Sequence, residues 1–342
     1  MEQGKLKISQ RLIYTSVGAL PLDLQDICLK IRSSLRDAVQ RNLAEGILLS
    51  GGVDSSILAT IAAKLVPLKT FTVAFQGASA PDIEYALLMS KFLGLKHFVH
   101  YFDENQVFET IPVVVNTLRT FDPMEISGGV GILIGLKLAK DNGVNSVMTG
   151  DGGDELFAGY PWLFSLEKEK LDLELLKMWD VMTFSSVQIG EAAKVKITTP
   201  FLDSEFKSFA MNLDSQYKIR IERGRKWGKW ILRKAFEDYL PKEIAWREKV
   251  FGAIGIGIWE ALQKMLDSKI SDTEFEVRKK EYLKKDKVTL QDKERLFYYE
   301  IYRSTVGAPH PTDPEAKTCP YCNSNVSPAW SAHCRTCGAY PI

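Results

Sequence analysis

Short apolar segments alternate with segments of helical periodicity between residues 22 and 150. Strands are predicted at 47–49, 69–75, 96–102 and 144–150, and helices at 22–43, 57–65, 82–93, 104–118 and 129–140. This alternation is typical of parallel strands joined by helices that cover both faces of a sheet. The sequence therefore predicts an α/β fold built on a doubly wound parallel sheet.

The strand signal fades beyond residue 160, whereas helical periodicity continues to about residue 302, so we predict an α-rich second half. The segment that follows contains three prolines and is typical of a linker. The predicted organisation is an N-terminal extension (1–21), a large α/β domain (22–306), a linker (307–316) and a small cysteine-containing module (317–342).

The charge balance excludes a strong overall field around the protein. The 342 residues include 44 Lys and Arg against 43 Asp and Glu, so any contact with a polyanion must be local. The sequence shows neither an N-terminal apolar signal segment nor an apolar run of the length, about 18 residues, that spans a membrane. We therefore expect a cytoplasmic protein.

The first glycine-rich turn, SGGVDSS, lies between a predicted strand and a predicted helix. Gly51 and Gly52 let backbone N–H groups approach an anion, and Ser55 and Ser56 precede a helix N-terminus with free N–H groups. Asp54 would repel a phosphate unless a cation lay between them, which indicates Mg²⁺. The turn lacks the lysine of a Walker A loop. A strand-to-helix turn capped by Ser or Asp stays an alternative for this segment alone.

The second glycine-rich turn, TGDGGDELFAGY, follows the last predicted strand and again precedes a predicted helix. In a parallel sheet both turns lie at the carboxyl ends of strands, where ligands bind in such folds. We expect Asp54 and Asp154 to come together there and to share a metal ion. The two turns together indicate a bound nucleotide with Mg²⁺.

Both turns carry a family resemblance. SGGVDSS resembles the pyrophosphatase loop (PP-loop) of the N-type ATP pyrophosphatases, and TGDGGDELFAGY is similar to the second motif of the asparagine synthetase and β-lactam synthetase family. PFLDSEF (200–206) and LPKEIAWREKV (240–250) are further matches to the asparagine synthetase domain, in the same order along residues 22–257. The resemblance implies a fold like that of the adenine nucleotide alpha hydrolases. It also implies that ATP is cleaved between its α- and β-phosphates, that a carboxylate is adenylated, and that an amine displaces AMP to form an amide.

The resemblance also implies a role for each matching residue. The residues expected to hold pyrophosphate and metal are Ser50, Gly51, Gly52, Asp54, Ser55 and Ser56, with Asp154 holding the metal from the opposite loop. Backbone atoms of Leu48, Val73 and Gly150 are expected to contact the adenosine. Asp151 is expected to accept the proton of the attacking amine. Lys249 is expected to stabilise charge at the α-phosphate.

The sequence departs from the glutamine-using asparagine synthetases before the synthetase-like region. Those enzymes begin with a catalytic cysteine on an amidotransferase domain, whereas this sequence begins MEQGKL. We therefore expect the nitrogen donor to be free ammonia, another amine, or ammonia released by a separate glutaminase partner.

The segment matching the acceptor pocket departs as well. Ser127 stands where asparagine synthetases have an arginine that binds a carboxylate of aspartate, and Glu125 lies nearby. Glu125 would repel an anionic substrate, so a substrate with a cationic group, or a carboxylate carried on a larger molecule, fits this pocket better. In the alternative reading Glu125 faces solvent and Arg220, Arg223 or Arg225 binds the carboxylate.

The C-terminal module contains two C-x-x-C pairs, formed by Cys319 with Cys322 and by Cys334 with Cys337. Four thiolates at this spacing predict a closed, structural Zn²⁺ site of the zinc-ribbon type, with a hairpin between the pairs. His333 is expected to be a surface residue and not a ligand. A module of this size needs the metal in order to fold.

The sequence leaves two questions open. The predicted ribbon either binds a protein or RNA partner through Tyr321, Trp330, Arg335 and Tyr340, or braces the larger domain. The basic run 218–234 either contacts tRNA or packs its tryptophans into the core. The function favoured by the sequence is an AMP-forming amide synthetase. The alternatives are a PP-loop enzyme that modifies tRNA or a protein-borne substrate, and a nucleotide-binding module without turnover, against which the intact acids argue.

Overall fold

Five parallel strands form the central sheet of the protein. The structure, a computed structural model, describes residues 23–342, so the predicted extension 1–21 lies outside the described residues. The strands are β1 (Gly46–Leu48), β2 (Lys69–Phe75), β3 (Lys96–Phe102), β4 (Ser146–Met148) and β5 (Lys196–Thr198), in the spatial order β3-β2-β1-β4-β5. The predicted parallel sheet is confirmed.

Helices connect the strands and form most of the second half. They are α1 (Leu24–Arg41), α2 (Val53–Ala62), α3 (Pro81–Phe92), α4 (Glu104–Leu118), α5 (Pro123–Asp141), α6 (Gly153–Phe157), α7 (Lys168–Val181), α8 (Ser185–Ala193), α9 (Ser204–Asn212), α10 (Trp230–Phe236), α11 (Lys242–Ala245), α12 (Gly252–Gly255), α13 (Ile258–Lys269), α14 (Asp272–Asp286) and α15 (Lys293–Thr305). Among residues 23–342, every helix is too short or too polar to cross a lipid bilayer.

The order of the strands places β1 and β4 side by side at the centre of the sheet. The chain runs outward from β1 through β2 to β3, returns to the other side of β1 as β4, and continues outward to β5. Ile47 is paired with Met148, so the two strands end at the same edge. This is the switch point of a doubly wound sheet, where ligands bind in such folds.

Each face of the sheet is covered by its own hydrophobic core. One core includes Ile111 of α4, Leu133 of α5 and Tyr298 of α15. The other includes Leu35 of α1 and Ile57 of α2. Burial on both faces fits the apolar sequence of the central strand β1, whereas the edge strand β3 is partly exposed and contains Lys96, His97 and His100.

Strand structure also occurs in the second half, where the sequence predicts helix alone. β5 extends the parallel sheet, and an antiparallel hairpin pairs β6 (Arg220–Glu222) with β7 (Arg225–Trp227) around Arg223 and Gly224, both of which have positive φ. These three strands have only three residues each, too few to display a period of two, and they lack the apolar context that marks β1 and β4 in the sequence.

The cysteine module packs against the larger domain and shares its core. Its four cysteines belong to the same hydrophobic cluster as Phe121 and Tyr302. The backbone N–H of Phe121 donates to the carbonyl of Thr336 over 2.8 Å. The predicted hairpin between the C-x-x-C pairs is wrong, because the described strand pairing of the module is a single bridge, Thr318 with Asn325, around the first pair. The boundaries at 306 and 316 stay predictions.

Candidate active site

The loop after β1 has a geometry that depends on a glycine. Gly51 has φ +68°, and a Cβ at this position would lie 2.5 Å from the backbone carbon of Tyr85. The Oγ of Ser50 accepts from the N–H of Gly52 over 3.2 Å. Helix α2 begins directly afterwards without a side-chain cap, which leaves its first N–H groups free to bind an anion.

Asp54 and Asp154 meet at the switch point, as the sequence predicts. The Nζ of Lys229 contacts Oδ2 of Asp54 and lies 2.8 Å from Oδ1 of Asp154. The Nζ of Lys249 lies 2.7 Å from Oδ2 of Asp154. Gly153 permits this close approach, since a Cβ there would lie 2.6 Å from Oδ1 of Asp54. Two loops about one hundred residues apart in sequence thus form one charged cluster.

Burial and the neighbouring charges shift the pKa values of this cluster in opposite directions. Burial would raise the pKa of Asp154, but Lys229 and Lys249 outweigh it and lower that pKa to about 2. Burial would likewise lower the pKa of Lys229, which is 2% exposed, yet Asp154 and Asp54 raise it. The carboxylates and the lysines therefore hold one another in their charged forms.

The same two acids fit a magnesium ion. Oδ1 of Asp54 and Oδ1 of Asp154 are buried and have no hydrogen-bond partner within residues 23–342. The second of these atoms is close to Lys229 without hydrogen-bond geometry. Buried carboxylate oxygens that lack donors are the ligands that Mg²⁺ prefers. A buried hydroxyl in the first turn of α2, Oγ of Ser56, also lacks a partner in this range.

Asp151 lies in the second loop and is held by two hydroxyl groups. Thr149 donates to its Oδ2 over 2.8 Å, and Ser186 of α8 donates to the same oxygen. Burial raises the pKa of Asp151, against the effect of these hydrogen bonds. A carboxylate whose pKa is raised is a better proton acceptor, which suits the predicted role of a base.

An apolar cleft of about 210 Å³ lies beside the first loop. It is lined by Leu48, Val73 and Ile256, and by Gly128 and Gly131 of α5. The space over Gly128 is open, whereas the side chain of Ile256 packs directly against Gly131. The predicted adenosine contacts Leu48 and Val73 both lie here. Gly150 lies at the end of β4 against Asp54, since a Cβ there would be 3.1 Å from the Cβ of Asp54.

Sequence reasoning missed two basic residues of the site. Lys229 lies in the basic run 218–234, where the sequence pattern does not distinguish a buried lysine from an exposed one. Arg247 lies in the quoted LPKEIAWREKV segment, is 7% exposed, and donates to the carbonyl of Ser50 over 2.6 Å and to Asp82 over 2.6 Å. Arg247 therefore fixes the first loop against α3. Its position two residues before Lys249 is the feature of the sequence that indicates a place in the site.

Neither of the two residues predicted for the acceptor pocket lines the apolar cleft. Ser127 is fully buried, and its hydroxyl donates to the carbonyl of Pro123 over 2.7 Å, so it faces its own helix. Glu125 lines a different cavity, which also contains His333 of the cysteine module. Their predicted role in substrate binding stays a prediction.

The basic run 218–234 forms the hairpin and the start of α10. The three exposed arginines stack on tryptophans, Arg220 on Trp230, Arg223 on Trp246 and Arg225 on Trp227. Lys218, Lys229 and Arg233 are buried, with exposures of 0%, 2% and 4%. Much of this charge is therefore part of the interior, which weakens the interpretation of the run as an RNA-binding surface.

The four cysteine sulfurs form a compact site. All four lie within 4.8 Å of one another and are buried, with 3.7 Å between the sulfurs of Cys319 and Cys337 and 3.6 Å between those of Cys322 and Cys334. A tetrahedral Zn²⁺ with Zn–S bonds of about 2.3 Å requires S···S separations of roughly 3.8 Å. The site therefore fits the predicted zinc. Nε2 of His333 instead lies 3.1 Å from Asp122.

The aromatic residues suggested for a partner differ in accessibility. Tyr340 is 74% exposed and Trp330 is 37% exposed, whereas Tyr321 is half-buried. Arg335 contacts the carbonyl of Val181 at the end of α7. The module therefore braces the larger domain, and its binding to a separate partner stays a prediction.

Comparison with known solved structures finds chains at low sequence identity and low TM-score. The NMN synthetase from Francisella tularensis has a TM-score of 0.38 at 16% identity, covering 86% of this chain and 100% of that one. An NH3-dependent NAD synthetase from Campylobacter jejuni has a TM-score of 0.29 at 16% identity, covering 67% of this chain and 99% of that one.

Comparison with curated sequences finds asparagine synthetases. A glutamine-hydrolysing asparagine synthetase from Sandersonia aurantiaca is 32% identical over 254 residues, which is 67% of this chain and 48% of that protein. A second one, from Arabidopsis thaliana, is 30% identical over 274 residues, which is 72% of this chain and 46% of that protein. The chain thus spans about half the length of the curated relatives it matches.

A protein-family model gives the same result independently. The model described as asparagine synthase matches residues 30–188 and 176–306, a range that contains both acidic loops, Lys229 and Lys249. The cysteine module lies beyond the matched residues. The chain therefore belongs to the asparagine synthase family.

Proposed function

We propose that the protein is an ATP-dependent ligase that adenylates a carboxylate, releases pyrophosphate and transfers ammonia or an amine to the activated acyl group. The single observation that carries the proposal is the meeting of Asp54 and Asp154 around Lys229 at the switch point. Such a cluster beside an apolar cleft suits a nucleotide whose phosphates are accompanied by a metal ion.

The residues around the cleft would orient ATP. The adenine would lie against the glycines of α5, and the phosphates would lie over the loop after β1 and the free N–H groups of α2. Asp54 and Asp154 would hold Mg²⁺, which supplies charge neutralisation to the phosphates when it is bound. Lys249, whose Nζ reaches Asp154, provides a cation that can approach the α-phosphate.

The reaction balances in two steps. A carboxylate oxygen attacks the α-phosphorus, a P–O bond forms, and the bond to pyrophosphate breaks. The amine nitrogen then attacks the acyl carbon, the acyl–oxygen bond to AMP breaks, and the proton lost by the nitrogen passes to Asp151. Thr149 and Ser186 hold the carboxylate of Asp151 in place for that transfer.

An assay of pyrophosphate release tests the proposal. The purified chain is incubated with ATP and Mg²⁺ and with aspartate plus ammonia, other carboxylates with amines, or bulk tRNA. AMP and pyrophosphate are expected in equal amounts with a carboxylate. Asp54→Asn and Asp154→Asn are expected to lower kcat/KM by at least about 100-fold, because each removes a charged ligand of the Mg²⁺ that neutralises the reacting phosphates.

Asp238→Asn is the matched control, since Asp238 is exposed on the surface near the end of α10. It is expected to keep full activity. The proposal fails if the protein neither binds ATP nor forms AMP with any carboxylate. Release of pyrophosphate with tRNA alone would instead favour a nucleic-acid substrate.

A further inference from the structure

A second cavity, of about 690 Å³, lies between the cysteine module and the helices α13, α14 and α15. It shares no lining residue with the apolar cleft. Carboxylates outnumber basic side chains in its lining by six to three. The acids are Asp122, Glu125, Asp267, Asp272, Asp292 and Glu294.

The three basic side chains are already paired. Lys293 lies 3.2 Å from Asp267 and 2.8 Å from Asp272. Arg295 pairs with Asp292, and His333 lies 3.1 Å from Asp122. Within residues 23–342 this leaves Glu125 and Glu294 without an ion-pair partner. The cavity therefore contains two carboxyl groups that lie outside its ion pairs.

Glu294 is the more deeply buried of the two unpaired acids. It is 8% exposed, and its Oε1 accepts from the hydroxyl of Tyr298 over 2.9 Å, whereas its Oε2 has no hydrogen-bond donor among the described residues. Burial raises the pKa of Glu294 to about 7. Partial desolvation in the cavity and the nearby Asp122 also raise the pKa of Glu125, although this residue is exposed to solvent. A bound cation would relieve both groups.

Aromatic rings complete the lining. Trp259, Phe275 and Tyr340 contribute to the same cavity as the two unpaired acids. Aromatic faces attract organic cations through their quadrupoles and also pack against apolar carbon chains. A metal ion would gain little from these rings, whereas an alkylammonium ion would use both the rings and the carboxylates.

We propose that this cavity binds a small organic cation, a primary ammonium group carried on an apolar stem. The ammonium group donates to the carboxylates of Glu294 and Glu125, and the stem packs against Trp259 and Phe275. The volume of the cavity admits a molecule of this size and excludes a folded polypeptide.

The position of the cavity connects it to the proposed chemistry. Ser185 lies close enough to Glu125 to lower the pKa of that carboxyl, and the next residue, Ser186, donates to Asp151. The cavity is therefore separated from the proposed base by the first residues of α8. If the proposed function holds, on which this identification rests, the bound molecule is the amine substrate of the ligase: its ammonium group leaves one proton on the carboxylate of Glu294 or Glu125, and the neutral amine loses its second proton to Asp151 when the amide forms.

Calorimetric titration of the full chain in zinc, without ATP, tests the binding site. The probes are 1,5-diaminopentane and L-lysine, with 1,5-pentanediol as the neutral analogue. The two amines are expected to bind and the diol to give no signal. Glu294→Gln is expected to weaken amine binding by about tenfold or more, since a hydrogen bond to a charged group is lost. Trp259→Leu is expected to weaken it as well.

Glu276→Gln, an exposed change on the surface of α14, is the matched control and is expected to bind the amines as the wild type does. Circular dichroism confirms that each variant is folded before titration. Absence of amine binding, equal binding of amine and diol, or unchanged affinity in both cavity variants would overturn the proposal. Because the titration contains no ATP, its outcome is independent of whether the protein cleaves ATP.

Discussion

Lys229 compensates two carboxylates that would otherwise face each other in the interior. Its side chain is 3% exposed, and it contacts Asp54 from the first loop and Asp154 from the second. A buried charge is tolerated only when its partners are in place. The site thus depends on a residue that no predicted motif contains.

Replacement of Lys229 by Met is expected to destabilise the protein by about 3 kcal/mol or more, because it leaves buried carboxylates underneutralised. Added Mg²⁺ is expected to recover part of this loss, since the ion would supply the missing positive charge. Thermal melting with and without Mg²⁺ measures both effects. A larger Mg²⁺-induced rise in Tm for wild type than for Lys229→Met would contradict the assignment of Asp54 and Asp154 as metal ligands.

Lys218 is a second buried lysine, and its charge is poorly compensated. Its Nζ donates to the carbonyl of Ala210 over 2.8 Å and lies 4.5 Å from the centre of the Trp179 ring. Burial lowers the pKa of Lys218 to about 7, although Asp172 and Asp214 oppose the shift. The unfolded chain therefore binds more protons than the folded chain between about pH 7 and about pH 10.4.

The contribution of Lys218 to stability is accordingly expected to rise with pH across that window. Lys218→Met removes the titrating group, so the free energy of unfolding of the wild type should increase relative to the variant between about pH 7.5 and about pH 9.5. Urea denaturation at the two pH values gives the difference. Lys280→Met, on the exposed surface of α14, should show no such change. A constant difference for Lys218→Met would show that its pKa is not lowered.

At the scale of elements, the turn from β1 into α2 sets the position of the proposed phosphate site. Gly51 combines a positive φ with contact to the backbone of α3, whereas Gly94, at the end of α3, has φ +64° and open space around it. Comparison of alanine substitutions at the two glycines therefore separates the free-energy cost of a left-handed backbone conformation from the cost of steric crowding by a Cβ.

Gly51→Ala is expected to destabilise the protein by at least about 1 kcal/mol more than Gly94→Ala, since the added methyl group must displace α3. ATP affinity should fall in the first variant alone. Urea denaturation and nucleotide titration check the two statements. Equal losses of stability would show that the loop has room for a Cβ.

The helices and strands also show how much of the fold the sequence can predict. β2 and β3 have the predicted bounds, because both are seven-residue runs in which β-branched or aromatic residues predominate, as is typical of strands. The acids of the two loops can be recognised in the sequence because Asp beside Gly directly after a strand is unusual. Lys229 and Arg247 were missed because burial of a basic residue depends on partners distant in sequence. β5 gave no periodic signal at all.

At the scale of the whole molecule, the cysteine module belongs to the core of the larger domain. Cys319 and Cys337 pack in the cluster that contains Phe121, and Thr120 donates to the carbonyl of Arg335 over 2.7 Å. A metal in this module would therefore stabilise the larger domain as well as the tail.

Removal of zinc by a chelator is expected to lower the Tm of the whole protein in one cooperative transition. Cys337→Ser should reproduce this effect and reduce the bound zinc measured by atomic absorption. Cys28→Ala is the matched control, because Cys28 is buried in α1 outside the module. An unchanged Tm of the larger domain after zinc loss would show that the module is energetically separate.

The neighbouring positions of β1 and β4 have a consequence for biosynthesis. A ribosome completes Asp54 and Asp154 before it adds Lys229 and Lys249, so the growing chain acquires two facing anions ahead of their counter-ions. During synthesis these two acids are therefore without the lysines that neutralise them until the last third of the polypeptide has been made. The charge balance of the proposed active site is in this way tied to completion of the chain's second half.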